Sequence, residues 1–527
     1  MTTMSTLNAA SLLTSTASLN MGVSAVSASK LATQDSSVPE PSTIVTISQA
    51  GSTSSPPTYS LPGKPAVAAP IVTWASSTND AVTMTMAGDY GSQSLTNRFY
   101  GLGSALLDRF KTTGSEFSQS VQVTPAGSLS TVGQTVQGVQ ADIKLTVKTK
   151  TGVEVDITLH SEEDGLAVSV QSSGKLSDTE RSALEKLSGA FQDALNGLGA
   201  IPPTLDLNGL TQFDPSVLSS VDLQSSVTGT GQAIRSISFH ADSSARTVSV
   251  SGPAGTMKVD VDMTDSAIWG SQSQRAGAID AYLKQFDQAS SRGHGDASFT
   301  AMFKDAFTQM NSNYGVLSQP LPGTSYAPSL GQADHAMLTG LADFSASITD
   351  TPRATNPMRL NEQDSFSYQV SQRTDIHGGA MDGTISQRQQ SHLSASYHTP
   401  LSANAPLALT SMRNSQNYSY VQIDDTADSM TNIENKNGQI INASLSQSAD
   451  QSTRTSKYVS GDLVSDITTP VEASGSQDLL ALLKPLLANG QAEQDSGQWQ
   501  QALANIHGMI LLQSDPASLN KDPGASP

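Results

Sequence analysis

From Ile143 to Val170 apolar residues alternate with polar ones in three consecutive runs: Ile143, Leu145 and Val147, then Val153, Val155, Ile157 and Leu159, then Leu166, Val168 and Val170. A period of two puts all the apolar side chains of a strand on one face, so the runs predict an antiparallel meander with one buried and one wet face. The connections agree. Lys150-Thr151-Gly152 and Glu163-Asp164-Gly165 carry glycine where tight turns want it. Ser177-Asp178-Thr179-Glu180 then signals a helix start, in which the serine takes a backbone N–H and Glu180 reaches back. Leu184, Leu187, Phe191, Ala194, Leu195 and Leu198 form its apolar stripe, and an earlier helical pattern carries Phe99, Leu102, Leu106, Leu107 and Phe110.

The same order of elements returns. Ile237 and Phe239, Val248 and Val250, and Met257, Val259, Val261 and Met263 predict three short strands, with a turn at Ser251-Gly252-Pro253-Ala254-Gly255. Two helical patterns follow, one with Ile268, Ala276, Ile279, Tyr282, Leu283 and Phe286, the other with Phe299, Met302, Phe303, Phe307 and Met310. The likeness is one of pattern and suggests related modules. From Asp364 to Thr469 the chain is polar and strand-like. Phe366, Tyr368 and Val370 alternate, as do Leu393, Ala395 and Tyr397, and Ile433 and Ile440 flank the hairpin signal Asn437-Gly438. So few large apolar residues fill only a thin core, so this region is expected to lean on the other modules or on a partner. Helical patterns at Leu479 to Leu487 and at Trp499, Leu503, Ile506 and Ile510 close the folded part.

The expected fold is α+β: antiparallel β-meanders each packed by amphipathic helices, a polar β-rich region, and disordered termini. The expected divisions are 1–79, a disordered Ser/Thr/Pro-rich segment; 80–225 and 226–345, the two meander-plus-helix modules; 346–514, the β-rich region with C-terminal helices; and 515–527, a disordered tail. Within the first segment only Thr43 to Ser48 reads as strand, and only Leu12, Leu19 and Val26 follow a seven-residue spacing.

Composition narrows the function classes. The chain has 527 residues, more than one core usually serves. Its formal charge is −19, from 28 Lys+Arg against 47 Asp+Glu, with no basic run, which argues against nucleic acid as a partner. Charged residues are only 14%, so Ser, Thr, Gln and Asn supply much of the surface. There is no cysteine, where a frequency of roughly 1% would give about five. Either export into an oxidising setting or a low-cysteine genome accounts for that. The first twenty residues lack Lys, Arg and a long apolar run, so no cleavable signal is expected, and no stretch reaches the ~18 apolar residues of a membrane span. Location is therefore expected to be cytoplasmic, or exported by a route without a cleavable signal.

A search for chemistry yields candidates that each have a simpler reading. His392 and His398 share the polar face of one strand with Ser394 and Ser396, some six residues and roughly 20 Å apart, and read as surface histidines rather than metal ligands. Asp375, His377 and Asp382 surround Gly378-Gly379 in a turn. Asp424, Thr426 and Asp428 begin like a calcium loop, but Asn435 stands where a glutamate is needed. Glu162, Glu163 and Asp164 read as a solvated turn, and Asp260 and Asp262 as charges on a wet face. Trp74, Trp269 and Trp499 are too scattered for a sugar platform, and the latter two read as core. No phosphate loop, dinucleotide turn, nucleophile elbow or zinc helix is present. No catalytic, cofactor-binding or metal-binding residue is expected, and no cofactor.

The stretch Ile143 to Leu223, with KLSDTERSALEKLSGAF and LDLNGLTQFDPSVLSSVDL, and the later SQRQQSHLSASYH, resembles Ser/Gln-rich proteobacterial proteins to which no chemistry is assigned. That resemblance implies no functional residue. Polar strands and absent cysteine also resemble flagellar axial and hook-associated proteins, although the long terminal heptads of those proteins are missing here. The expected function is non-enzymatic binding or assembly, exported, at the cell surface or with the flagellum, through a protein partner or self-assembly on the polar β-rich region. The alternatives are a cytoplasmic scaffold and a hydrolase with a dispersed site, the latter if a pocket brings His240, His294 or His377 against a carboxylate and a hydroxyl.

Overall fold

The computed structural model describes residues 71–520 except 77–78, 93, 115, 125–139, 163, 201–202, 229–235, 315–329, 380, 403, 405 and 488–496. The patterns expected at residues 12–26 and 43–48 lie outside the described residues. The chain begins with β1 (Ile71–Trp74), α1 (Ala81–Asp89), α2 (Leu95–Arg98), α3 (Leu102–Thr113) and β2 (Phe117–Thr124). The first meander is β3 (Gln140–Thr149), β4 (Glu154–Glu162) and β5 (Gly165–Ser172), followed by α4 (Asp178–Glu185) and α5 (Ser188–Gly199). The second is β6 (Leu218–Thr228), β7 (Ser236–Asp242), β8 (Ala245–Ser251) and β9 (Gly255–Asp262), followed by α6 (Gln272–Gly293), α7 (Ala297–Met310) and α8 (Gln332–Ala336). Then come β10 (Asp343–Asp350), β11 (Ser365–Gly378), β12 (Gly383–Pro400), β13 (Tyr418–Lys436), β14 (Gln439–Val459) and β15 (Asp462–Asp478). The described chain ends with α9 (Leu479–Leu487), α10 (Gly497–Ile510) and α11 (Pro516–Leu519), so a capped helical turn stands just past Asp515.

Local signals in the sequence act as expected. Gly152 turns β3 into β4 at φ 90°, and Asn437 and Gly438 turn β13 into β14 with φ of 54° and 73°, the two left-handed residues that a two-residue hairpin needs. Ser177 and Glu180 close a reciprocal capping box at the start of α4. A second box, Ser271 with Gln274, opens α6.

All fifteen strands form one antiparallel sheet in the order β1-β2-β5-β4-β3-β6-β7-β8-β9-β10-β11-β12-β13-β14-β15. The fold is thus α+β. The sheet's seam is the pairing of β3 with β6, in which Lys144 lies opposite Gln224. Those two positions are eighty residues apart, and so are Asp142 and Asp222, His160 and His240, Glu162 and Asp242, and Val168-Ser169-Val170 and Val248-Ser249-Val250. Equivalent positions meeting across the seam place an approximate two-fold axis between Lys144 and Gln224, with β5-β4-β3 on one side and β6-β7-β8 on the other. The expected divisions at 225 and 345 fall inside β6 and β10.

One face of the sheet is dry. Leu145, Leu223, Phe239, Val248, Val259, Ala346, Val370, Ala427, Ala449 and Ala473 follow one another across it, all buried. Helix residues join the same cluster: Leu106 and Phe110 of α3, Phe191 of α5, Tyr282 and Phe286 of α6, and Phe303 and Phe307 of α7. Around Tyr282 the rings meet edge to face, with centroids 5.1 Å from Phe344 and 5.5 Å from Phe307. Gly293, the last residue of α6, has no room for a side chain, since a Cβ there would meet Phe366 at 2.7 Å.

The polar β-rich region leans on the rest of the chain by an unexpected device. Its dry face carries buried glutamines at 372, 387 and 389. Two non-helical segments cross that face, Thr339–Ala342 before β10 and Leu511–Ser514 after α10. A segment lying on a sheet cannot join its ladder, whose donors and acceptors lie in the sheet plane, so side chains rising from the sheet must satisfy its backbone, and glutamine, which both donates and accepts, does most of this here. Gln389 donates to Ile510 O (2.8 Å) and accepts from Leu512 N (3.0 Å). Gln447 donates to Met509 O and Leu511 O, Gln451 to Ser514 O, and Gln285 of α6 to Leu512 O. Gln387 accepts from Thr339 N, while Gln372 donates to Leu341 O.

Candidate functional site

The other face of the sheet is wet, and most of the candidate residues lie on it. His160 on β4 sits between Asp142 on β3, at its Nδ1, and Glu162, whose Oε1 is 2.9 Å from Nε2. Eighty residues on, His240 on β7 repeats the arrangement: Nδ1 is 2.6 Å from Asp222 Oδ1 and Nε2 is 3.4 Å from Asp242 Oδ2. Hydrogen bonds from Glu162 and Asp142 hold the His160 ring above its ordinary pKa. Burial pulls the His240 ring down, but Asp222 and Asp242 together outweigh it and the net shift is upward. A shallow groove lined by Lys144, Thr158, His160, Gln224, Ser226 and Ser238 crosses the seam beside these residues.

The other wet-face candidates are tied up as ordinary surface pairs. His392 meets Asp424 at 2.7 Å, Asp428 accepts from Arg388 at 2.6 Å, and Asp260 pairs with Lys258 at 2.8 Å. Asp424, Thr426 and Asp428 are alternate residues of β13, an extended strand and not a loop that could wrap an ion. Asp262 accepts from the N–H and hydroxyl of Thr264. Asp375 pairs with Arg373, and Asp382 accepts from Asn437 N, beside the β11–β12 turn where His377 and Gly378 lie. Glu163 lies outside the described residues. Trp499 is buried, Trp269 is partly buried against Tyr314, and Trp74 touches Tyr90 at the first edge.

His398 is not a surface residue: its side chain is 0% exposed. It does lie on the wet face of β12, as its spacing from His392 implies, but the segments 351–364 and 406–417 fold over that end of the sheet and cover it. Its Nδ1 is 2.6 Å from Asp364 and its Nε2 3.3 Å from Glu362. Tyr418 OH donates to Glu362 at 2.6 Å, Asn356 donates to Tyr418 OH at 3.0 Å, and Arg359 stacks over the Tyr458 ring. Burial raises Asp364, yet His398 and Thr355 more than offset it and its carboxyl ends below the usual range. Burial and the nearby Glu362 push the Tyr418 phenol up. This closed cluster ties the covering segments to the sheet.

Under α6 lies a cavity of about 220 Å³, lined by Arg292, Tyr368, Ser391, Asp425, Gln451 and Asp515 among others. Arg292 clamps Asp425 with two bonds, of 2.5 and 3.0 Å, and reaches Thr453 on β14. The Tyr368 hydroxyl is buried at the cavity wall, where a hydrogen bond with Ser391 only partly offsets the burial that raises the phenol. His294, the left-handed cap of α6, stacks on Tyr397 with centroids 3.7 Å apart.

These arrangements have a common chemical limit. A nucleophile relay needs one histidine nitrogen on an acid and the other on a hydroxyl or thiol. At His160, His240 and His398 carboxylates face both ring nitrogens. Among the described residues no group of three or more His, Cys, Asp or Glu is placed to hold a metal ion, and no helix is long and apolar enough to cross a membrane. Comparisons of the chain with protein-family models, with curated proteins and with solved structures find no match. Sequence reasoning missed the Asp142–His160–Glu162 and Asp222–His240–Asp242 sets, whose signal is the shared eighty-residue shift.

Proposed function

We propose that this protein works by binding and assembly through the surfaces and edge of its sheet, rather than by catalysis. The observation that carries the reading is the end of the sheet: among the described residues β15 is a 17-residue outermost strand, exposed over almost its whole length. A long unpaired edge is a ready template for another chain. In support, the wet face offers broad polar grooves, and the rings of His160, His240 and His398 have carboxylates on both nitrogens. In this reading the two meander-plus-helix modules are a duplicated scaffold, joined at the β3–β6 seam, that carries the polar β-rich region as the working part.

The site of action is proposed to be outside the cytoplasm, reached without a cleavable signal, at the cell surface or with the flagellum. Fractionation of the native host tests that part: protein found solely in the cytosol replaces it with a cytoplasmic scaffold. The assembly reading itself is tested by affinity capture with the full chain and with a chain carrying lysines on β15. Loss of the captured partner or copy in the second supports it. Turnover of ester, glycoside or phosphate substrates by the purified chain, abolished by His240→Asn, overturns it in favour of a hydrolase.

A further inference from the structure

Resting on that reading, we infer that the occupant of the β15 edge is a second copy of this chain, paired strand to strand about a two-fold axis at Ile467. The apolar residues point there first. Leu463, Val464, Ile467 and Val471 are about half exposed or more, at 53, 55, 60 and 49%. Ile467 and Val471 stand four residues apart and share one side of the strand, whereas Leu463 lies past a β-bulge, opposite Tyr458 on the other side. Ile467 and Val471 lie opposite Thr455 and Gln451, on the dry side, where the sheet's apolar face runs out into solvent.

The free stretch is also self-complementary. Everything from Asp462 to Glu472 is open or nearly so, whereas Ala473 is buried and α11 packs against β14 and β15. The midpoint of the open stretch is Ile467. Antiparallel pairing about that residue sets Ile467 against Ile467 of the partner subunit on the dry side, with Ser465 against Thr469 of the partner subunit and Asp466 against Thr468 of the partner subunit on either side of it. The two isoleucines meet, and the dry face continues across the join.

Charge permits the pairing. β15 has four acidic residues and no basic one. Arg454 holds Asp466 with two bonds, Arg413 holds Asp462, and Asp478 caps α9 through Ala481 N. Glu472 has no cation, but it stands at the far end of the open stretch, five residues from the Ile467 join. Pro470 fits as well. Proline has no N–H to give to Ser452 opposite, and Ser452 N turns instead to Asp425 Oδ1, so the 470–452 pair is one whose donors point away from each other. The even-numbered residues of β15 therefore carry the free donors and acceptors, and the odd-numbered Ile467 pair falls at a narrow position where side chains approach to about 4.5–5.5 Å. The fold already contains such a join, since β3 and β6 pair antiparallel about an approximate two-fold axis.

The contact is one strand wide, below the ~1,200 Å² of a permanent interface, so the dimer is expected to form in the micromolar range. The absence of cysteine makes the register readable, because a single introduced thiol has only its own copy to find. Sedimentation of the full chain from about 1 to 100 μM should show a reversible monomer–dimer equilibrium, and Ile467→Lys should raise the dissociation constant at least ~100-fold without changing the circular dichroism. Under mild oxidation Ile467→Cys should link into a dimer, and Ser465→Cys should link to Thr469→Cys only when the two are mixed. Ile441→Cys, also exposed but on β14, should stay monomeric.

A chain that stays monomeric throughout, or a dimer that survives Ile467→Lys, overturns the inference. So does open-ended growth, which would place β1 of one copy on β15 of the next. If the monomeric chain still captures a host partner that lysines on β15 abolish, the binding reading stands and only the second copy falls. If it captures nothing, both fall.

Discussion

Gln389 and Gln390 are neighbours on β12, and the account assigns them opposite fates. Gln389 is 1% exposed, and its side chain holds three groups: Ile510 O at 2.8 Å, Leu512 N at 3.0 Å and Tyr282 OH at 3.0 Å. Gln390 points to the wet face and is exposed. Replacing Gln389 by leucine shortens the side chain by one atom and removes all three bonds. Ile510 O retains the Ser429 hydroxyl at 2.9 Å, so two buried donors are left without partners, Leu512 N–H and Tyr282 O–H. At about 1–3 kcal/mol for each orphan, less up to ~1 kcal/mol for the apolar gain, Gln389→Leu should cost about 1–6 kcal/mol. Gln390→Leu should stay within about 0.5 kcal/mol. Urea unfolding followed by tryptophan fluorescence reads the difference, since Trp499 is buried in α10 beside the crossing segment. Hydrogen exchange at Leu512 reports whether that segment is still held down. If Gln389→Leu matches the parent within about 0.5 kcal/mol and Leu512 remains protected, the glutamines do not hold the C-terminal crossing.

Three further outcomes follow from single groups. The Tyr368 hydroxyl is buried with Ser391 as a weak partner, so Tyr368→Phe should change stability by no more than ~1 kcal/mol in the same unfolding assay; a larger loss would mean that solvent in the cavity also holds the hydroxyl. Glu180, which accepts from the Thr151 hydroxyl and caps α4, has its carboxyl pulled down to about 2, so its contribution to stability is present above the ordinary carboxylate range and is lost as pH falls from about 4.5 through about 2. Glu180→Gln should flatten that part of the stability–pH curve, and an unchanged curve contradicts the assignment. His240 has a raised pKa, so its pairing stabilises the fold fully below the ordinary histidine value and fades as pH rises through the folded value. Asp222→Asn should lower the His240 midpoint in an NMR titration and leave His160 where it was.

What the chain declares locally, it declares clearly. The alternation at Ile143–Val170 and Ile237–Met263, the turns at Gly152 and Asn437-Gly438, and the box at Ser177 act between neighbours, and neighbours are what a sequence pattern reports. The joining of all fifteen strands was not readable, because the pairing of β3 with β6 joins residues up to eighty-eight apart and no short pattern encodes it. The buried glutamines were hidden for a different reason. At 387 and 389 they keep the two-residue period of β12, but in a polar residue type, so the strand reads as thinly cored until the segments they hold are in view. His398 shares a spacing with His392, yet only the fold of residues 351–364 over it decides that one is buried and the other wet. The eighty-residue shift was open to a direct comparison of the chain with itself, which would have found His160 and His240 together.

Hydrogen exchange along β15 bears most directly on whether this protein acts through the edge of its sheet. In dilute solution the amides of Asp466 and Thr468 should exchange within seconds, as free groups of an outermost strand. Raising the protein concentration into the range where it pairs should slow those two and leave the alternate amides of Ile467 and Val471, already engaged with β14, unchanged. Rates at all positions of β15 that do not depend on concentration or on an added partner would contradict the account.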